Sequence, residues 1–357
     1  MAGLFSSYGR ISIHVGVLAL GNVSLFFLRP REYPMYRHLL WERPSVTDTR
    51  PIAFVGGLHR SGTTLLADVL ARHSRLGGHV NDGFAANEGQ HTQDVLPTDE
   101  DFHGPGRFAF YPRYREVMNA DTFADAERRL RNAWNKYWPD DAGCVVEKTP
   151  GNILRAVLLK NIFPAANFIF LIRHPVAVSL ATQKWSHTSI FSLFAHWLAA
   201  HDNLLAYEQQ KIDHLVVFYE DFLQRPEAIV AACFEHIGVP AEPIPLPRLN
   251  NANEEYFARW RTHFISNREI TAEYFISKER VESTSTTLFR AVLRQAKKLE
   301  HGLLSMGFQI VIADREARDA SEVFGERIGL FGYSLVDLNL FPRSYVFRPG
   351  IGRMPIP

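Results

Sequence analysis

One stretch of the sequence, residues 51–66, constrains the fold more than any other. Its apolar residues 52–55 have the character of a buried strand, and the two glycines that follow end that strand. From Thr63 onward the apolar residues recur at helical spacing. In a strand, glycine-rich turn and helix of this kind, backbone N–H groups and the helix dipole favour an anion. The stretch therefore predicts a P-loop-like α/β domain with an anion site at its first turn.

The turn departs from the Walker A pattern of nucleotide triphosphatases at one position. Gly57 and Gly62 have the Walker spacing, but Thr63 stands where the lysine belongs and the positive charge is on Arg60. A triphosphatase or nucleotide kinase needs that lysine on its β- and γ-phosphates. We therefore expect a different anion here, with a P-loop nucleotide kinase as the alternative.

The string Arg60-Ser61-Gly62-Thr63-Thr64 resembles the 5′-phosphosulfate loop of sulfotransferases, whose donor is 3′-phosphoadenylyl sulfate. Its form is most similar to that of the bacterial, protein-tyrosine and glycan branches of the family. The resemblance runs from about residue 51 to residue 239 and strengthens with each strand. The other matching strings are Glu147-Lys-Thr-Pro150, residues 170–180 (Phe-Leu-Ile-Arg-His-Pro-Val-Ala-Val-Ser-Leu) and residues 216–223 (Val-Val-Phe-Tyr-Glu-Asp-Phe-Leu).

The resemblance implies roles for the loop and for the second string. Residues Arg60 to Thr64 would bind the 5′-phosphosulfate, with Arg60 also acting in catalysis. Lys148 would stabilise the bridging oxygen as it departs. Because a sulfonate carries less charge than a terminal phosphate, cationic side chains can take the place of a magnesium ion, and we expect no metal.

The resemblance places the 3′-phosphate of the donor at Arg173, whose guanidinium fork suits a phosphate, with Ser179 beside it. Tyr219 would lie near the nucleotide. In most relatives the serine lies eight residues after the arginine, and that position here is Ala181. Ser179 stands six residues after Arg173 and Thr182 nine, so both hydroxyls are candidates.

Glu88 is the expected general base, because it stands about where the protein-tyrosine relatives carry a catalytic glutamate. A base must reach the acceptor hydroxyl, and its pKa is lowered by nearby cations and raised by burial. His91 and Asp94 are the alternatives. Glu88 could also serve only as a helix cap or a loop anchor.

The order of apolar runs and helical patterns predicts the fold class. Short apolar runs alternate with helices of ten or more residues, which is typical of a doubly wound, mostly parallel sheet. We expect a three-layer α/β/α domain with four to five strands. The predicted strands are residues 52–55, 144–150, 167–172 and 214–218.

The chain divides into three predicted parts. Residues 51–335 would form the sulfotransferase-like domain, residues 1–50 an N-terminal extension and residues 336–357 a coil-rich tail. Within the extension, residues 11–28 are mostly apolar and just long enough to span a bilayer. They predict either a membrane anchor or an element that packs on the domain.

Charge and cysteine content bound the partners and the compartment. A net charge of +1 excludes a general nucleic-acid coat. Cys144 and Cys233 have no zinc-site spacing, and so few cysteines favour a reducing, cytoplasmic location, with membrane attachment through residues 11–28 as the alternative. We expect a hydroxyl-bearing acceptor, which could be a glycan, a peptide tyrosine or a small molecule. A relative that binds nucleotide without catalysis is the remaining alternative.

Overall fold

The computed structural model describes residues 48–80, 83, 86–186, 188–265 and 321–357. The predicted anchor at residues 11–28 lies outside the described residues. Among the described helices, none combines the length and the apolar character needed to cross a bilayer.

A seven-stranded sheet forms the middle of the structure. Five strands run parallel in the order β2-β3-β1-β4-β5, and an antiparallel hairpin, β6-β7, extends the sheet from β5. The strands are β1 Ile52–Gly57, β2 Leu76–Gly78, β3 Cys144–Lys148, β4 Asn167–Ile172, β5 His214–Phe218, β6 Tyr345–Arg348 and β7 Gly352–Pro355.

Helices cover both faces of this sheet. The helices are α1 Thr63–Leu70, α2 Phe123–Trp134, α3 Ala156–Ile162, α4 Pro175–Ser186, α5 Ile190–Gln209, α6 Tyr219–Gln224, α7 Pro226–Ile237 and α8 Asn253–Ile265, and residues 321–329 are also helical.

Two separate apolar cores confirm the predicted three-layer α/β/α fold. Successive residues of a strand point to opposite faces of a sheet. Phe54 and Phe168 accordingly pack into the core that α2, α3 and α5 share, whereas Val55 and Ile169 pack into the core that α1 and α7 share.

The predicted coil-rich tail is wrong for the residues of β6 and β7. Residues 345–347 of β6 pair with β5, and β7 completes the hairpin. β6 has only three apolar residues before Arg348, and β7 contains a glycine and a proline, so neither strand has an apolar run as long as those of β1 and β4. β2 is also hard to predict from the sequence, because it has only three residues and two of them are glycines. The sheet therefore has two more strands than the upper limit of our prediction.

The carboxyl ends of the parallel strands bring the predicted motifs to one edge. The glycine-rich loop follows β1, Lys148 ends β3, Arg173 follows β4 and Tyr219 follows β5. In open α/β sheets, ligands bind at this edge.

Candidate active site

The loop between β1 and α1 has the backbone of an anion cradle. Arg60 and Gly62 take left-handed conformations, with φ of 68° and 104°. A Cβ on Gly62 would lie 3.0 Å from a ring carbon of Tyr219, so both the backbone angle and the close approach favour glycine. Because α1 begins at Thr63, the N–H groups of its first turn have no partner within the helix and are available to an anion.

The sequence predicted that all the loop side chains from Arg60 to Thr64 face the cradle, but in the structure Ser61 and Arg60 make other contacts. The Ser61 hydroxyl closes the turn by donating to the Leu58 carbonyl oxygen at 2.6 Å. The exposed Arg60 guanidinium lies 4.7 Å from the centre of the Trp185 ring, so it rests against α4. Thr63 is buried, whereas Thr64 is exposed.

Lys148 and Glu88 form a buried ion pair next to the loop. Lys148 lies opposite Val55 of β1 in the sheet register. Its Nζ donates to Glu88 Oε1 at 3.0 Å and to the Ala86 carbonyl oxygen at 2.6 Å. The structure thus brings together the predicted base and the predicted leaving-group cation, and neither is free in this state.

The surroundings of Glu88 determine its charge. Burial acts to raise the pKa of Glu88, but the nearby His91 and the positive charge of Lys148 outweigh it and lower the pKa to about 2. The Glu88 carboxylate in turn raises the pKa of His91. Glu88 is therefore ionised at neutral pH, and Lys148 limits its basicity as long as the pair persists.

The two alternative bases differ in position. His91 Nε2 lies 3.6 Å from Glu88 Oε2, so His91 supports Glu88 directly. Asp94 is mostly exposed and pairs with Arg129 at 2.6 Å, outside this cluster. Of the two, only His91 lies at the candidate site.

Arg173 connects the glycine-rich loop to the first residues of α6 and α8. Its Nη1 donates to the Arg60 carbonyl oxygen at 2.7 Å and its Nε to Asn253 Oδ1 at 2.7 Å. The guanidinium carbon lies 4.5 Å from the centre of the Tyr219 ring. Nη2 is buried and has no hydrogen-bond partner in the part of the chain that the structure describes. One strong donor at the cradle is therefore uncommitted.

The two candidate hydroxyls, Ser179 and Thr182, line the same small cavity. His59, from the glycine-rich loop, also lines it, and Arg173 does not. The Ser179 hydroxyl is buried and has no hydrogen-bond partner among the described residues. The structure does not distinguish Ser179 from Thr182.

Asn253 and Glu220 hold Arg173 in place, and sequence reasoning assigned neither a role. Glu220 Oε1 accepts from Asn253 Nδ2 at 2.6 Å and from the His174 backbone N–H at 3.0 Å. Its other oxygen accepts from the Tyr333 hydroxyl at 2.7 Å. Glu220 belongs to the recognised Tyr-Glu-Asp string, but Asn253 lies 80 residues from Arg173 and no local pattern marks it.

The sequence match decides the family. A family model described as the sulfotransferase family matches residues 51–243, which is more than half of the 357-residue chain. The chain belongs to the sulfotransferase family. It is therefore an enzyme that transfers sulfo groups, which decides against both the nucleotide kinase and the non-catalytic relative.

Structural comparisons also find sulfotransferases. The sulfotransferase domain of the olefin synthase from Synechococcus PCC 7002 is 17% identical, with 68% of this chain and 96% of that chain covered and a TM-score of 0.39. A sulfotransferase from Mycobacterium tuberculosis H37Rv is 18% identical, with coverage of 60% and 72% and a TM-score of 0.37. No curated protein sequence matches this sulfotransferase. Its family assignment rests on the family model.

Proposed function

We propose that this sulfotransferase moves the sulfuryl group of 3′-phosphoadenylyl sulfate to a hydroxyl acceptor by in-line displacement. The sulfur–oxygen bond to the donor phosphate breaks, a bond to the acceptor oxygen forms, and the acceptor proton passes to Glu88. Adenosine 3′,5′-bisphosphate is the other product. The observation that carries the proposal is the buried Glu88–Lys148 pair at 3.0 Å, placed beside the glycine-rich loop.

The residues around the loop fit the two anionic ends of such a donor. The first turn of α1, with Thr63 and Thr64, offers N–H groups to the phosphosulfate, and glycine at position 62 leaves the backbone open to it. The unpartnered Nη2 of Arg173 is a charge-assisted donor for the 3′-phosphate. Arg60, whose only described ring contact is with exposed Trp185, would turn from α4 to the phosphosulfate.

The Glu88–Lys148 pair suggests how the base becomes active. While Lys148 donates to Glu88, the carboxylate is a weak base, because burial is outweighed by the nearby His91 and the lysine charge, which hold its pKa at about 2. When Lys148 turns to the departing phosphate oxygen, the carboxylate loses a cation in a buried position. Its pKa then rises, and it can accept the acceptor proton as the sulfuryl group transfers.

We propose a hydroxyl-bearing acceptor for the same reason. A carboxylate base matches an alcohol or phenol, whose proton must leave as the new sulfur–oxygen bond forms. Whether that hydroxyl belongs to a glycan, a peptide tyrosine or a small molecule is for an acceptor screen to decide. The cytoplasmic location and the membrane anchor at residues 11–28 stay alternative predictions.

The experiment that tests the proposal is calorimetric titration with adenosine 3′,5′-bisphosphate in EDTA. We expect micromolar binding without metal, and a loss of at least tenfold in affinity for Arg173→Ala. Arg113→Ala is the control, because the Arg113 side chain is 80% exposed and forms an exposed pair with Glu116. The purified enzyme is then screened for transfer from ³⁵S-labelled donor to phenols, sugars and tyrosine peptides. Absence of nucleotide binding, or equal binding by the Arg173 variant, would contradict the proposal.

A further inference from the structure

A chain of hydrogen bonds connects Glu88 to the glycine-rich loop through three side chains to which no role has been assigned. Gln90 Nε2 donates to Glu88 Oε2 at 2.7 Å, and the Asp99 backbone N–H donates to Gln90 Oε1 at 3.1 Å. Asp99 Oδ2 in turn lies 3.1 Å from Nε2 of His59, the residue before Arg60. We call Glu88, Gln90, Asp99 and His59 the relay.

The partners determine the orientation of each member of the relay. A backbone N–H can only donate and an ionised carboxylate can only accept, so the Gln90 amide must face Asp99 with its oxygen and Glu88 with its nitrogen. Burial acts to raise the pKa of Asp99, but the hydrogen bond with His59 prevails and lowers it. Asp99 is therefore charged, and the proton of His59 that it accepts is on Nε2.

The two middle members of the relay are closed off from water, whereas His59 is half-buried. Gln90 is 2% exposed and Asp99 3% exposed. Buried hydrogen bonds to charged groups are stronger and less easily exchanged with solvent than exposed ones. The link between the loop and Glu88 is consequently stiff.

Together with the sheet, the relay completes a closed ring of contacts around the site. β1 pairs with β3, and Lys148 at the end of β3 binds Glu88. From Glu88 the relay returns to the loop that continues β1. Gln90 is also held from the β3 side, because its backbone N–H donates to Thr149 Oγ1 at 3.2 Å.

We propose that Gln90, Asp99 and His59 are positioning residues that set the distance between the Glu88 carboxylate and the sulfuryl-binding loop. This inference rests on the proposed function. In-line transfer requires the acceptor oxygen, the sulfur and the leaving oxygen to be aligned, and a misplacement of about 1 Å can cost about 100-fold in rate. The ring fixes that alignment through side chains, independently of the acceptor.

The test compares His59→Phe with His59→Gln. Phenylalanine keeps the ring that packs against Phe108 but removes the bond to Asp99, whereas glutamine can place an N–H near the position of Nε2. The assay is release of ³⁵S-sulfate from labelled 3′-phosphoadenylyl sulfate, with water as the acceptor, at saturating donor. We expect release to fall about 10- to 100-fold in His59→Phe, with the Kd for adenosine 3′,5′-bisphosphate changed less than about threefold. His59→Gln should restore most of that loss.

A second comparison separates positioning from general structural support. In a Glu88→Gln background, His59→Phe should have little further effect, because the position of an absent base no longer matters. Gln90→Met, which breaks the same relay at another member, should show the same dependence on Glu88. Thermal unfolding of each variant confirms that it is folded at the assay temperature.

The outcomes are distinct. The relay would be overturned if His59→Phe slowed sulfate release equally with and without Glu88, or if His59→Gln restored none of the rate. It would also be overturned if the only effect of His59→Phe were a weaker affinity for the nucleotide. A wild-type enzyme that binds adenosine 3′,5′-bisphosphate but releases no sulfate would also overturn it, because the relay is proposed to hold the base in position before any acceptor binds. If the wild-type enzyme binds no nucleotide, the proposed function itself fails.

Discussion

Two side chains of opposite charge, Glu88 and Lys148, share a buried position, and their coupling makes stability depend on pH. The nearby His91 and the charge of Lys148 overcome the effect of burial and hold the pKa of Glu88 at about 2, against an ordinary value of about 4.5. Since the folded pKa is the lower one, the stabilisation is complete above about pH 4.5 and is lost as the pH falls toward 2. The folded state thus favours the ionised carboxylate.

We predict that Glu88→Gln destabilises the enzyme at pH 7 by about 1–3 kcal/mol, because a buried lysine then lacks its counter-charge. The difference in unfolding free energy between wild type and variant should shrink as the pH falls from about 4.5 to 2. Urea unfolding at several pH values measures it. Glu116→Gln is the matched control, because Glu116 forms an exposed pair with Arg113 and should give a small difference. A Glu88→Gln difference that does not vary with pH would disprove the coupling.

For individual residues, the sequence predicts the functional side chains at strand ends better than those whose position depends on contacts between distant segments. Arg173 directly follows an apolar run and Lys148 stands two residues after one, and the parallel sheet brings such positions to one edge. The Arg60 side chain rests on Trp185, a contact that depends on how α4 packs. His59 and Asp99 meet only because a 40-residue segment folds back on the loop, which no local spacing encodes.

The elements around α6 show how one buried carboxylate connects the end of the chain to the sheet. Asp221 is fully buried and accepts from Arg225, which lies one turn later in sequence, at 2.8 Å. It also accepts from Arg343 Nη1 at 2.9 Å and from the Ser344 backbone N–H at 2.9 Å. Burial acts to raise the pKa of Asp221, but these bonds lower it to about 2. The β6-β7 hairpin is therefore attached through a charge as well as through strand pairing.

We predict that Asp221→Ala destabilises the enzyme by about 1–3 kcal/mol, because the buried Ser344 backbone N–H loses its acceptor. Backbone amides of β6 and β7 should lose protection first in hydrogen-exchange measurements. Asp213→Ala is the control. Asp213 pairs with Arg348 of the same hairpin, but both side chains are more than a third exposed, so a loss of about 0–1 kcal/mol is expected. Equal losses in the two variants would show that Asp221 has no special role.

The helices and strands that the sequence predicts are those with a local pattern. α5 follows Ser189, which caps it, and α7 begins at Pro226 and ends before the left-handed Gly238. Asparagine often caps helices, but Asn152, in the turn before α3, donates to Glu147 Oε2 at 2.5 Å and so anchors the end of β3. Its role depends on a buried glutamate, and the choice between cap and anchor requires the tertiary structure.

Across the whole molecule, the folded sheet extends further along the chain than the family match does. The match ends at residue 243, whereas the sheet is completed by β6 and β7 about 100 residues later. The hairpin covers the edge of β5, and its Tyr345 and Phe347 pack into the same core as α5. Sequence patterns could not place this closure, because the pairing of β5 with β6 joins residues more than 120 positions apart.

We therefore predict that deletion of residues 336–357 abolishes the cooperative unfolding transition and the binding of adenosine 3′,5′-bisphosphate together. The deletion exposes the β5 edge and removes the Ser344 hydroxyl that accepts from the Phe218 backbone N–H at 3.0 Å, directly before Tyr219. Differential scanning calorimetry and nucleotide titration of the purified protein measure both effects. Ile351→Ser, at a hairpin position that is 68% exposed, should change neither. A truncated chain that still unfolds cooperatively and binds nucleotide would contradict this prediction. It would show that neither the stability of the sheet nor the donor site requires the hairpin.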